Sequence, residues 1–528
     1  FRFDNLDGGR YIAAVRSVQD DNYSRYSSTQ EVVLAGNDML PQLQITPEVY
    51  IDKDSLYISV GDTISVYYTT DGALPTAYSN LYDEPIALGS KMTIRMVAYQ
   101  EGYRHTDITE KNNWFEQGDA TYRIVSERTL EVAITEAVDG NTPAHFVGHW
   151  IVGDKVEQDS EHYAIVGVDS GAFSKATSLR SVKIEGQNLR FMGQNIFHGC
   201  SALNVVEWNV KLPLQANMFD DNSYNNLLLY AEEGTDFAHP LIETGAIAFI
   251  EGNKTKKLLI QGDKPFYCPR TFEAETVSYQ RSFTQATGYG DAAGWETIVL
   301  PFDVQSFSHH IKGEIAPFGV DAKHHFWLSE LTEKGFCAAT ALRANIPYII
   351  AMPNNTEYGD NTISGDITFS AAQSTIYPTI ELRETEGADF MFVPTYETLE
   401  PNAEIYALNV KNKFEANKVT YKAGSVFVPN KYTVSPFSAY VGTMAGQKAM
   451  PYYRIQKEAD VEESIYVFSV ESQGGVVYVS LPEAKTITVY DMTGRQVCRV
   501  ACEAGTTEIA HLADGIYLIE NVKVYVKH

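Results

Sequence analysis

The stretches VDSGAFSKATSLRSVKI (168–184), MGQNIFHGCSALNVVEW (192–208) and ANMFDDNSYNNLLLYA (216–231) repeat one pattern. Phe173 and Phe197 are separated by the same 24-residue step as Leu179 and Leu203, and as Val182 and Val206. A third copy puts Leu227 and Tyr230 at that step, with Phe219 two residues early. One such unit cannot cover its own apolar face, whereas stacked neighbours bury a continuous ladder. The pattern therefore predicts a short solenoid, with residues 126–160 and 227–240 expected to cap it. Trp208 closes the strand-like run at 203–207 and is expected on the solenoid face, with Tyr224 and Tyr230 near its surface.

The A-F-x-x-x-x-S-L-x-x-V rhythm running from Ala172 to Val182 resembles the BspA-like leucine-rich repeat of bacterial surface antigens. Cys200, in FHGCSAL, stands where that family often carries Cys, and the resemblance implies an inward structural role. Upstream, Ile64, Val66 and Tyr68 alternate before a turn at Asp71–Gly72, and Met92, Ile94, Met96 and Ala98 alternate again. The YYTTDG turn at Tyr67–Gly72, Pro75–Thr76, Ser79–Tyr82 and a final strand at Thr93–Tyr99 resemble the chitobiase C-terminal-like β-sandwich. In that family the module is an accessory without catalytic residues. Nearer the start, Tyr11, Ala13 and Val15 alternate with Ile12, Ala14 and Arg16, and FRFDNLDGGRYIAAVRSVQDDNYSRYS resembles the C-terminal third of a fibronectin type III domain.

Downstream of the repeats, strand-like runs such as ETIVLPFDV, PYIIAMP and GSVFVP are bounded by Gly, Pro or Asn and predict a β-sandwich or barrel. KPFYCPRTFEAETVSYQRSF, followed by GWETIVLPFDV, resembles a β-domain of Bacteroidetes surface proteins. At the end, VYDMTGRQV, then GIYLI, then KVYV resemble the C-terminal sorting domain of type IX secretion cargo. The resemblance implies an Ig-like sandwich directing outer-membrane export and surface attachment, with Asp491, Gly494, Arg495, Gly515, Tyr517 and Lys523 as its motif residues. Gly494 and Gly515 are expected to permit sharp turns. The chain divides on these grounds into 1–36, 37–125, 126–240, 241–460 and 461–528, a mainly β, multidomain protein.

The 528 residues carry net charge −27, which repels phosphate backbones and anionic lipid heads and sets nucleic-acid and membrane-surface binding aside. With 44% hydrophobic residues the chain is not of disordered composition. No apolar run approaches the ~20 residues needed to span a bilayer. The opening lacks Met and a signal-peptide pattern, which reads as part of a longer precursor. Five widely spread cysteines include no CxxC pair. Cys498 and Cys502 fall in one strand-like run, too far apart along it to bond each other.

No HExxH, GxSxG, P-loop or EF-hand pattern is present. His309–His310 and His324–His325 are the histidine pairs, but neighbours on a strand point to opposite faces, so each pair offers one inward ligand at most. Cys268 or Cys337 with one of these histidines lacks any nucleophile signature, and no spacing singles out a carboxylate pair. Aromatic rings can stack on sugar faces, which makes Trp150, Trp208, Trp295 and Trp327 candidates beside Tyr224 and Tyr230. The acidic stretches DDNSYNN (220–226) and EADVEES (458–464) read as solvated loops rather than Ca²⁺ sites. No metal or cofactor is expected. The favoured function is a non-catalytic bacterial surface protein binding a host or matrix protein, or a glycan. The alternative is an accessory region of a secreted cysteine peptidase or glycoside hydrolase whose catalytic domain lies upstream. A third reading hides an enzyme within 241–460.

Overall fold

A computed structural model describes residues 9–14, 18–19, 22–23, 30–34, 40–135, 146–219, 224, 226–287, 293–415, 418–443, 450–455, 469–481, 484–503, 505–519 and 522–528. The fold is mainly β and built from several sheets. Among the described residues the single α-helix is the short Pro240–Thr244, capped by His239 and closed by Gly245 in the left-handed region. No helix among them is long and apolar enough to cross a membrane.

The repeated segments form parallel strands Leu179–Ile184, Val205–Trp208 and Leu227–Ala231, joined on one side by Gly148–Val152 and on the other by Ile247–Glu251. Val182 pairs with Val206, as the 24-residue step requires. The Phe173 and Phe197 rings stack 5.9 Å apart at 8°, and Phe197 meets Phe219 at 5.3 Å. Cys200 points inward and donates to the Phe173 carbonyl at 3.0 Å. One repeat later the Tyr224 hydroxyl does the same to the Phe197 carbonyl at 2.6 Å. A thiol and a phenol thus perform one task at equivalent positions.

The third copy departs from the expected step. Val206 pairs with Leu229, and Tyr230 pairs with Glu207, one residue short of 24. Because side chains alternate across a strand, that slip reverses which residues face inward. Leu227, Leu229 and Ala231 join Val182, Val206 and Trp208 in the solenoid core. Val205, Leu228 and Tyr230 face the other way, into a second core with Cys268, Phe272 and Tyr279. Burial on both faces explains the unbroken apolar run LLLYA.

The expected cap at 227–240 is a further correction, since Leu227–Ala231 is an interior strand followed by another. Within 126–160, Glu131–Thr135 and Gly148–Val152 add strands to the two sheets of the repeat, and Gly148–Val152 is the end strand of its sheet. Hydrogen bonding then continues past residue 240. The hairpin Ile247–Glu251 and Lys254–Gln261 leads to Phe272–Ser282, Asp366–Ile376, Ser306–His309, Gly313–Pro317, His325–Thr332, Tyr348–Ala351 and Glu296–Ile298 in one 14-stranded sheet. A six-stranded sheet within 385–454 packs its Phe392, Tyr406, Phe427 and Tyr453 against Trp295, Phe336 and Ile349 of this body.

Residues 48–112 form two facing sheets around Ile51, Leu56, Ile94 and Met96. Residues 469–526 form two more around Val479, Ile487, Val489 and Ile519. The N-terminal strands Gly9–Ala13 and Gln30–Leu34 pair antiparallel.

Candidate functional site

Four of the six residues named from sequence as ring platforms, Trp208, Tyr224, Tyr230 and Trp295, lie in the interior. Trp208 is 1% exposed and its indole donates to the Leu212 carbonyl at 2.9 Å. Tyr224 is 2% and Tyr230 0% exposed. Arg270 lies over the Tyr230 ring at 4.3 Å and pairs with Glu207 at 2.9 Å, so part of the chain's own 262–272 segment covers this solenoid face. In this conformation none of the three offers a ring face to a sugar. Trp295 is buried as well, and Trp150 is wedged between Phe146 and Phe173.

Trp327 differs. It sits on the less buried face of the His325–Thr332 strand, and the two-residue period puts His325 on the same face. The neighbouring strand Gly313–Pro317 runs parallel, with Ala316 opposite His325, and delivers Phe318 just past its end. Phe318 is held there by its N–H on the Phe326 carbonyl at 2.9 Å. Its ring lies 5.1 Å from His325 at 24° and 5.4 Å from Trp327 at 38°. Tyr358 completes the row at 5.8 Å from Trp327 and 62°. It comes from the kinked 3-10 segment Thr356–Asn361, which Asn355 caps through Glu357 N at 3.2 Å. Lys312 donates to the Asp360 carbonyl at 2.7 Å and ties that segment to the 309–313 turn.

Phe318 is 46% exposed, Trp327 and Tyr358 are half-buried, and His325 Nδ1 is buried with no hydrogen bond among the described residues. Offset and tilted contacts match what ring quadrupoles favour, so the row is held by its own packing. The exposed Phe318 ring, with half-buried Trp327 and Tyr358 beside it, can cover a CH-rich surface such as the face of a pyranose. Glu357 and Asp360, both exposed, flank Tyr358 and add acceptors beside it. Trp327 was legible as a candidate. Phe318 and Tyr358 were not, because they lie in separate loops, and the signal that could have found the face is the half-exposed alternation His325-x-Trp327.

The groups considered for catalysis are placed otherwise. Cys268 is buried between the Tyr230 hydroxyl at 3.6 Å and the Arg270 carbonyl at 3.2 Å. Burial pushes its thiol up to about 12, which disfavours the thiolate a nucleophile needs. Cys337 is half-buried against the Thr332 hydroxyl at 3.2 Å. His309 is buried with Nε2 at 2.9 Å from the Ser364 carbonyl. Among the described residues no group of three or more His, Cys, Asp or Glu could hold a metal ion. Residues 220–223 and 225, and the whole of 458–464, lie outside the described residues.

The C-terminal motif residues gather on one four-stranded sheet. Asp491 Oδ1 accepts from Thr493 N at 2.9 Å, the Thr493 hydroxyl at 2.6 Å and Arg495 N at 3.1 Å. Gly494, at φ 81°, donates back to the Asp491 carbonyl and closes the turn. Arg495 pairs with Asp491 and is 80% exposed in its side chain, and Lys523 is exposed opposite Leu518. Tyr517, opposite Asp491, is buried and donates to the Ala513 carbonyl at 2.9 Å. Gly515 corrects its expected role. It begins the strand Gly515–Ile519 without positive φ, and the left-handed residue nearby is His511 at φ 67°. Cys498 and Cys502 share the unbroken strand Gln496–Cys502.

Residues 46–110 match the family described as Chitobiase/beta-hexosaminidase C-terminal domain. No curated protein matches the chain. Among solved structures, one similar chain is a leucine rich cell surface protein from Faecalibacterium prausnitzii A2-165, at 13% identity and a TM-score of 0.16. That match covers 28% of this chain and 36% of the other.

Proposed function

We propose that this chain is a non-catalytic, modular protein of a bacterial cell surface that binds a glycan. The observation that carries the reading is the row of exposed Phe318 with half-buried Trp327 and Tyr358 on one face of the sheet. Rings on strands and braced turns are pre-organised, so binding does not have to order them. The surface location is supported by the likeness of 168–231 to surface-antigen repeats and of the last strands to sorting domains. Through the latter, Arg495 and Lys523 would meet the export and attachment machinery. The five-part division given above belongs to this proposal, with the repeat and the following β-domain sharing one sheet.

The match at 46–110 favours a second reading, in which the chain is the accessory region of a secreted glycoside hydrolase. In both readings the aromatic row binds sugar; they differ in what is attached upstream.

The test is a glycan array and a panel of immobilised matrix proteins probed with the chain and with Trp327→Ala. Binding to a glycan set that Trp327→Ala weakens about tenfold, ~1.4 kcal/mol, is the expected result. Binding confined to matrix proteins, or a glycan set in which no member loses affinity in Trp327→Ala, overturns the reading.

A further inference from the structure

A separate cleft of about 660 Å³ opens where the parallel strands Lys254–Gln261 and Phe272–Ser282 end side by side. That size falls within the range of small-ligand sites, roughly 300–1,000 Å³. Asp366 enters from the antiparallel partner strand opposite Ser282, and Thr398 and Ser435 approach from the loops of the six-stranded sheet. The aromatic row contributes nothing to its lining.

The walls mix apolar and polar surface, and their one cation is already paired. Arg281 spends two of its N–H donors on the Glu296 carboxylate at 2.7 Å and the Thr297 carbonyl at 2.8 Å, out of the five a guanidinium carries. Asp366 accepts from the Ser282 hydroxyl and from Gln280 at 3.4 Å. With Asp263 also in the lining, carboxylates outnumber the one paired cation, so an anionic ligand is disfavoured. What faces the space is a set of amides and hydroxyls on Gln261, Gln280, Thr398 and Ser435, each able both to donate and to accept.

The floor supplies an independent observation. Tyr279 is fully buried, and its hydroxyl lies beside the Arg281 guanidinium without reaching good hydrogen-bond geometry to any partner among the described residues. A Cβ on Gly262 would come within 2.6 Å of that hydroxyl, so one glycine separates it from the cleft. A buried, unsatisfied hydroxyl is costly, and native structures keep few.

We infer that this cleft is a binding site for a neutral polyhydroxylated ligand, a single sugar unit, independent of the aromatic row. Amides and hydroxyls that donate and accept match vicinal hydroxyl groups, and the Tyr279 hydroxyl gains a partner once Gly262 shifts under the bound ring.

The experiment is calorimetric titration of the full chain with methyl glucoside, methyl galactoside and N-acetylglucosamine, with acetate and CaCl₂ as the charged alternatives. Gln280→Ala removes an exposed amide and Ser435→Trp fills the opening; Trp327→Ala is the control for the other surface. Binding of one neutral sugar, weakened tenfold or more by both cleft variants and unchanged in Trp327→Ala, is expected. Absence of neutral-sugar binding, preference for acetate or Ca²⁺, or binding that only Trp327→Ala reduces overturns the inference. The last outcome leaves the aromatic row standing. Unchanged thermal melting of Gln280→Ala separates lost binding from lost fold.

Discussion

Asp491 shows how one side chain organises a turn. Its carboxylate accepts three bonds at Oδ1, and its acidity is held at about 2, below the ordinary 3.8, first by the Thr493 hydroxyl and then by the Arg495 and Thr493 N–H groups. A folded value below the unfolded one means that the contribution is fully present above about pH 4 and is lost as pH falls through about 2. The melting temperature of Asp491→Asn should therefore differ most from wild type at neutral pH, with the gap closing toward pH 2. Equal gaps at both ends would contradict the assignment. Gly494 has φ 81° where a Cβ is disfavoured, so Gly494→Ala should cost about 1 kcal/mol in a denaturant melt. Gly515→Ala should be near neutral, because its backbone is extended and an added Cβ meets only the Tyr517 ring at 3.7 Å.

The stacked phenylalanines govern stability in the repeat elements. Phe197 touches both Phe173 and Phe219, and all three are buried. Phe197→Ala should lose about 3–5 kcal/mol by leaving a cavity its neighbours cannot close, measured by chemical denaturation. Cys200→Ser should cost less, since a hydroxyl can still reach the Phe173 carbonyl. The repeat period was readable because Phe173, Leu179 and Val182 recur in fixed order. The one-residue slip of the third copy was not, because in LLLYA every residue is apolar and either face satisfies the pattern. That ambiguity is why Tyr230 was expected near the surface and is found against Cys268.

Arg123 joins modules of the whole molecule. Its guanidinium forms a two-pronged pair with Asp169 of the repeat at 2.8 and 2.9 Å and a further bond to Asp54 of the first sandwich. Asp52, Asp54 and Ile51 also bond to residues 125–127, so the sandwich is stitched to the repeat along one strand. Removing a buried partner strands a charge, and Arg123→Ala should lower stability by about 3 kcal/mol and speed proteolysis between the modules. The local order of this protein follows from its sequence: strand period, repeat step, and turns at positions such as Asp71–Gly72 and Asp491–Gly494. Those depend on neighbours within a few residues, where sterics and alternation act. The aromatic row is a tertiary matter. Phe318, Trp327 and Tyr358 meet only because two parallel strands and a distant 3-10 segment are packed together, and the 14-stranded sheet crosses residue 240 through hydrogen bonds that carry no sequence mark. Apolar residues announce that they will be buried, but which partner buries them is decided by the folded chain.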